Sequence, residues 1–81
     1  MIDDVLKRII ELDVKETQFL DEYTYNLYRT LVIELTKIKI NLSESYTLSC
    51  KRLIRRLLTD YRLKEFLVAN KIIDDVEKII N

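Results

Sequence analysis

The sequence predicts an all-α fold, a small antiparallel helical bundle built on a long helix hairpin with short flanking helices. Neither Gly nor Pro occurs among the 81 residues, and both sheets and long loops normally depend on these residues for their turns. Hydrophobic residues make up 48% of the chain. They recur at spacings of three and four, the pattern of helices that bury one face. A chain of this length forms one domain, residues 1–81.

The chain opens with a short predicted helix over residues 3–12, whose hydrophobic side chains lie at helical spacing. Residues 13–17 are polar and predict a bend. Within it, Asp13 and Glu16 have the spacing of a capping box, which indicates that the next helix starts here.

Two long helices form the predicted hairpin, over about residues 19–40 and 45–68. Asn41 can take the left-handed conformation that ends a helix when Gly is missing, and Ser43 or Ser45 caps the second helix. The seam of the first long helix is Tyr28, Leu31, Leu35, Ile38 and Leu42. The inner stripe of the second is Tyr46, Cys50, Leu53, Ile54, Leu57, Leu58 and Tyr61.

A short helix is predicted over residues 71–80 at the end of the chain, starting at either Asn70 or Asp74. Asn70 also serves as the end signal of the helix before it. Carboxylate pairs occur near the predicted helix starts, where they interact favourably with the helix dipole and cap backbone N–H groups. These pairs are Asp3-Asp4, Asp21-Glu22 and Asp74-Asp75.

Charge is unevenly distributed along this neutral chain, with +4 over residues 51–69, −3 before them and −1 after them. One interpretation is a helix face that contacts phosphates or an acidic protein partner. The other is a solvated face whose arginines pair with Asp60, Glu65 and the acidic residues of neighbouring helices. The predicted contact residues are Lys51, Arg52, Arg55, Arg56 and Arg62.

The chain carries more hydrophobic helix surface than a single hairpin can cover. Ile33 and Ile40, seven residues apart, point away from the seam of their helix, and the last helix has isoleucines on more than one face. Exposed hydrophobic patches of this kind are usually interfaces, so the sequence predicts an oligomer interface. Its members are Ile33, Ile40, Ile72, Val76, Ile79 and Ile80.

Few residues in the sequence could carry chemistry. There is one cysteine, Cys50, and no histidine, so a nucleophile would have no activating base and no metal site is expected. Cys50 is predicted to be a small core residue. The five tyrosines are interpreted as core-edge residues with solvated hydroxyl groups, and Tyr25, off the main stripe, is the predicted contact residue among them. No catalysis, cofactor or small-molecule substrate is expected.

The N-terminus lacks the pattern of a secretory signal, and no hydrophobic run approaches the length of a membrane helix. The sequence therefore predicts an intracellular, cytoplasmic protein without a membrane partner. Its richness in Ile, Lys, Leu and Glu is typical of a thermophile or of an AT-rich genome.

Taken in order, the segments VKETQFLDEYTYNLYRTLVIEL, NLSES and KRLIRRLLTDYRLKEFLVAN resemble the helical domain of GINS subunits. These small proteins join the MCM ring in the replicative helicase of archaea and eukaryotes. Tyr25 or Tyr28 stands at the aromatic position of that family, and residues 62–67, RLKEFL, are similar to its closing pattern. The resemblance implies a scaffold without catalytic residues, bound to sister subunits and to helicase components through its helix faces.

The function predicted from these observations is a non-catalytic interaction or assembly module whose partner is another protein or a second copy of the chain. The resemblance implies a GINS-like scaffold of the replication machinery as its specific form. The alternative is a small oligomeric nucleic-acid-binding regulator, of viral or plasmid type, that uses the basic helix face between Arg52 and Arg62.

Overall fold

The computed structural model describes residues 2–40 and 43–81. Five α-helices account for most of them, and the described residues contain no strand, so the predicted all-α class is confirmed. The helices are α1 (Ile2–Lys15), α2 (Glu22–Ile40), α3 (Glu44–Leu57), α4 (Tyr61–Ala69) and α5 (Ile73–Ile80), with one 3₁₀ turn at Thr17–Phe19.

The predicted hairpin is formed by α2 and α3, the two helices that share the most extensive contact. They run antiparallel because only residues 41–43 join them. Ser43, one of the two predicted caps, holds the start of α3, where its Oγ accepts a hydrogen bond from the Tyr46 backbone N–H at 3.4 Å. The predicted roles of Asn41 and Leu42 lie outside the described residues.

The second long helix predicted from the sequence is two helices in the structure. α3 ends at Leu57 and α4 begins at Tyr61, so the prediction of one continuous helix is wrong. The cause is Asp60, whose Oδ1 accepts a hydrogen bond from the Leu63 backbone N–H at 3.0 Å and caps a new helix. The resulting change of direction lets α4 pack against both α2 and α5.

The start of α2 also differs from the prediction. Asp13 lies inside α1, where its backbone carbonyl accepts a hydrogen bond from the Thr17 hydroxyl at 2.5 Å, so Asp13 and Glu16 do not form a capping box. Asp21 caps α2 instead, and its Oδ1 accepts a hydrogen bond from the Thr24 backbone N–H at 3.4 Å. All three carboxylate pairs noted in the sequence stand at helix starts as expected: Asp3-Asp4 in α1, Asp21-Glu22 at α2 and Asp74-Asp75 in α5.

A Schellman motif connects α4 to α5. The Ile72 backbone N–H donates to the Leu67 carbonyl and the Lys71 N–H donates to the Val68 carbonyl, each at 3.0 Å. Lys71 takes the left-handed conformation that this motif requires, with φ 59°. Asn70 is the C-cap of α4, as predicted. α5, however, starts at Ile73 without a side-chain cap, so neither Asn70 nor Asp74 begins it.

All five helices contribute to one hydrophobic core. Tyr28 is fully buried in it, with its ring edge-on to that of Phe66 at a centroid distance of 5.4 Å. Its hydroxyl donates a hydrogen bond to the Ile9 carbonyl of α1, so the expectation of a solvated hydroxyl is wrong for this tyrosine. The buried hydrophobic residues of the core are Val5, Leu6, Ile9, Tyr28, Leu31, Leu35, Ile54, Leu57, Leu63, Leu67, Ile72, Ile73, Val76 and Ile80.

Candidate interaction surfaces

The structure places most of the predicted α5 interface in the chain's own core. Ile72, Val76 and Ile80 are buried there, and Ile79 is half-buried against it. This corrects the expectation that these residues form an oligomer interface. The physical reason is the change of direction after α3, which brings α5 back against α1 and α3.

The other two predicted interface residues are on the surface. Ile33 is 48% exposed and Ile40 is 70% exposed, and their spacing of seven puts them on the same side of α2. Ile10 of α1 is 54% exposed and lines one groove together with Ile40. We call Ile10, Ile33 and Ile40 the isoleucine face. The helical spacing of the hydrophobic residues in α1 includes Ile10, but spacing alone does not show which edge of the hydrophobic stripe stays uncovered.

Charged side chains of both signs lie around the isoleucine face. Lys39 of α2 forms an ion pair with Asp3 of α1 at 2.6 Å. The hydrogen bond and the positive charge of Lys39 lower the pKa of Asp3 below its ordinary value. Lys7 and Glu11 line the same groove. The border of the groove therefore carries two carboxylates and two ammonium groups.

The five predicted basic contact residues do not form a single face. Arg62 belongs to α4, and its guanidinium pairs with Asp21 of α2 at 2.9 Å. Arg55 of α3 donates a hydrogen bond to the backbone carbonyl of Ile80 at the end of α5. Both residues therefore have a contact within the fold. Arg62 pairs with an acidic residue of a neighbouring helix, as the solvated-face interpretation predicts, whereas the partner of Arg55 is a backbone carbonyl.

The remaining three basic residues, Lys51, Arg52 and Arg56, differ in this respect. Within the described part of the chain they form no ion pair and no side-chain hydrogen bond. No Asp or Glu occurs between Ser45 and Thr59, so α3 offers them no carboxylate beyond its first residue. Pairing with Asp60 or Glu65, which the solvated-face interpretation expects, is not observed.

The exposure of the tyrosines differs from the one predicted by the hydrophobic stripes, which place Tyr61 inside and Tyr25 at the surface. Tyr61, predicted on the inner stripe of a continuous helix, is the first residue of α4 and is 77% exposed. Tyr23 at the start of α2 is also exposed, whereas Tyr25 is half-buried beside Leu20. The break between α3 and α4 explains Tyr61, because α4 starts a new helical phase.

A small polar cluster lies between α2 and α3. Cys50 is buried, as predicted for a small core residue, and burial together with the nearby Glu34 carboxylate raises the pKa of its thiol. Glu34 is itself buried and pairs with Lys37 at 3.0 Å. A thiol with a raised pKa is a weak nucleophile at neutral pH. Over residues 2–40 and 43–81, no group of three or more Cys, Asp or Glu side chains could hold a metal ion.

Within the described residues, no helix combines the length and the hydrophobicity needed to cross a membrane. No family model matches the chain, and the comparisons with curated proteins and with solved structures found no match either.

Proposed function

We propose that this chain is a non-catalytic interaction module that associates through the isoleucine face. The observation that carries this function is the exposure of three isoleucines on two adjoining helices, in a chain whose other isoleucines are mostly used in its own core. An 81-residue domain gains little stability from a core alone, and covering three further isoleucines removes hydrophobic surface from water.

The partner on this face is, in our proposal, a second copy of the chain. The border of the groove has the carboxylates of Asp3 and Glu11 and the ammonium groups of Lys7 and Lys39. In a two-fold symmetric dimer each residue faces the same surface of the other copy. A border with equal numbers of both signs can meet itself without net repulsion, whereas the outer surface of α3, which carries only positive charge between Lys51 and Arg56, cannot.

A non-catalytic role is supported by the environment of the one thiol. Burial of Cys50 and the neighbouring Glu34 carboxylate raise its pKa, so the reactive thiolate is disfavoured. The role of a replication scaffold, which the resemblance to GINS subunits implies, is a more specific form of the same proposal. It differs in the occupant, since a sister subunit rather than a second copy would then cover the isoleucine face.

Multi-angle light scattering after size exclusion tests the proposed self-association with two matched variants. Ile40→Glu places a carboxylate in the isoleucine face, and Val68→Glu makes the same kind of change on α4 at a residue that is 52% exposed. We expect Ile40→Glu to raise the dimer dissociation constant by about tenfold or more, because burying an unpaired charge is costly. Val68→Glu should leave it unchanged.

Both variants change exposed side chains, so each should keep the helical circular dichroism spectrum of the wild type. A wild-type chain that stays monomeric at high micromolar concentration would contradict association through this face. Equal weakening by Val68→Glu would also contradict it, since the isoleucine face would then have no special role. A dimer that Ile40→Glu leaves intact would place the interface elsewhere.

A further inference from the structure

The outer surface of α3 carries two neighbouring rows of positive charge. Lys51 and Arg55 are four residues apart, as are Arg52 and Arg56, and residues at this spacing are neighbours on a helix surface. Arg55 is held by the Ile80 carbonyl. The other three have no partner among the described residues, and we call Lys51, Arg52 and Arg56 the free α3 cations.

Several side chains around the free α3 cations bear a hydroxyl group, and Tyr23 and Asp60 line a groove with Arg56. Ser45, Ser49 and Thr59 are exposed near them, and Leu48 is the exposed large hydrophobic residue on this side of α3. Tyr46, the one aromatic residue of α3, lies five positions before Lys51 and therefore points to another side. It is close enough to Lys37 of α2 to affect the pKa of that lysine.

We propose that the free α3 cations bind the phosphate backbone of duplex DNA. Contacts to phosphates come chiefly from Arg, Lys and hydroxyl side chains, which is the composition of this surface. Energetically important residues of protein interfaces are enriched in Trp, Tyr and Arg that fill desolvated pockets, whereas single-stranded nucleic acid is held by stacking of successive bases on aromatic rings. Tyr23 lines a groove with Arg56, but a single ring offers no platform for successive bases, so single-stranded nucleic acid fits this surface less well. An acidic protein is the competing partner, and the polyglutamate arm of the test below distinguishes it.

The dimensions of α3 are also suitable. Its 14 residues correspond to a length of about 21 Å, and the major groove of B-form DNA is wide enough for an α-helix. The site lies on α3 and does not involve the isoleucine face of α1 and α2. DNA binding can therefore fail while self-association holds, and the reverse is equally true.

Fluorescence anisotropy with a labelled duplex of mixed sequence tests this site. With three phosphate contacts per chain, the logarithm of the association constant should fall with the logarithm of the salt concentration with a slope of about −2.7. The affinity should then drop about 40-fold between about 50 and 200 mM NaCl. The double variant Arg52→Gln/Arg56→Gln should bring the slope about two units closer to zero.

The matched control is Lys15→Gln/Lys78→Gln, which removes the same charge from exposed residues of α1 and α5. It should keep the wild-type slope, and circular dichroism should show the same helix content in both double variants. Arg55 is left intact because its contact with Ile80 belongs to the fold.

Three results would overturn the proposal. One is the absence of duplex binding at about 50 mM salt, where phosphate contacts are strong. Another is an equal loss of affinity in both double variants, which would show that binding depends on the net charge of the chain and not on the position of the cations. The third is tighter binding of a labelled polyglutamate peptide or of a single strand of the same sequence, because the surface would then fit a different partner.

Discussion

The guanidinium of Arg62 lies 2.9 Å from the carboxylate of Asp21, 41 residues earlier in the chain. Asp21 caps α2 and Arg62 is in the first turn of α4, so the pair joins the N-terminal ends of two helices. Because Arg62 lies in α4 and pairs with Asp21, it does not add to the positive surface of α3. The ion pair between Arg62 and Asp21 therefore joins two helices and also removes one unpaired cation from the protein surface.

Acid should weaken the fold partly through Asp21. The Thr24 side chain and backbone N–H, with a smaller effect of Arg62, lower the pKa of Asp21 below its ordinary value of 3.8. A carboxyl group with a lowered pKa in the folded state stabilises the fold above its unfolded-state pKa. That contribution is lost as the pH falls through the lowered pKa.

Thermal unfolding of the wild type and of Asp21→Asn measures this contribution, because Asn keeps the capping ability and removes the charge. We expect the wild type to have the higher Tm at neutral pH and the difference to shrink below about pH 4. A difference that is constant down to pH 2 would show that the charge of Asp21 is not responsible.

Tyr28 should contribute to stability through its hydroxyl as well as its ring. The hydroxyl donates to the Ile9 carbonyl, and burial raises the pKa of the phenol above its ordinary value, so the group remains a donor. Removing one buried hydrogen bond costs about 1 kcal/mol. For a domain of this size that loss lowers the Tm by about 4–8 °C.

The variant Tyr28→Phe keeps the edge-on contact with Phe66 and removes only the hydroxyl. Tyr61→Phe is its control, because Tyr61 is exposed and forms no side-chain hydrogen bond with the described residues. Calorimetry should show the Tm decrease for Tyr28→Phe alone. Equal Tm values for the two variants would mean that the hydrogen bond from Tyr28 to the Ile9 carbonyl does not stabilise the fold.

Glycine should have opposite effects at two lysines of the α4 region. Lys71 has φ 59°, a conformation that a residue with a Cβ adopts at a cost, so Lys71→Gly should stabilise the fold by up to about 1 kcal/mol. Lys64 is inside α4 and exposed, and Lys64→Gly should destabilise it by about 1 kcal/mol. Urea denaturation measures the free energy of unfolding of both variants. A destabilised Lys71→Gly variant would contradict the role of Lys71 in the Schellman motif between α4 and α5.

Local pattern was sufficient to predict the helices and the hairpin, because the absence of Gly and Pro and the three-four spacing act within each segment. The break at Asp60 has a local signal too, since Asp is a favoured N-cap. That signal competes with a hydrophobic stripe that continues across it in the sequence. Tyr61 was assigned to the wrong side of its helix for the same reason.

The position of α5 could not be read from the sequence. Its hydrophobic residues indicate burial, and periodicity alone does not distinguish burial in the chain's own core from burial against a partner. The choice depends on the path of the chain after α3, which brings Val76 and Ile80 into the core. The pairing of Arg62 with Asp21 depends on the same path. Ile33 and Ile40 are different, because both remain exposed in the folded chain, Ile33 by 48% and Ile40 by 70%.

The most direct test of the isoleucine face is a dilution series followed by NMR with isoleucine δ1 methyl labelling. Self-association through this face predicts that the methyl signals of Ile10, Ile33 and Ile40 shift with concentration, because neighbouring atoms of the second copy change their surroundings. The signals of the buried Ile54 and Ile72 should stay in place. Shifts confined to other isoleucines, or no shift in any of them at high concentration, would contradict the proposed assembly.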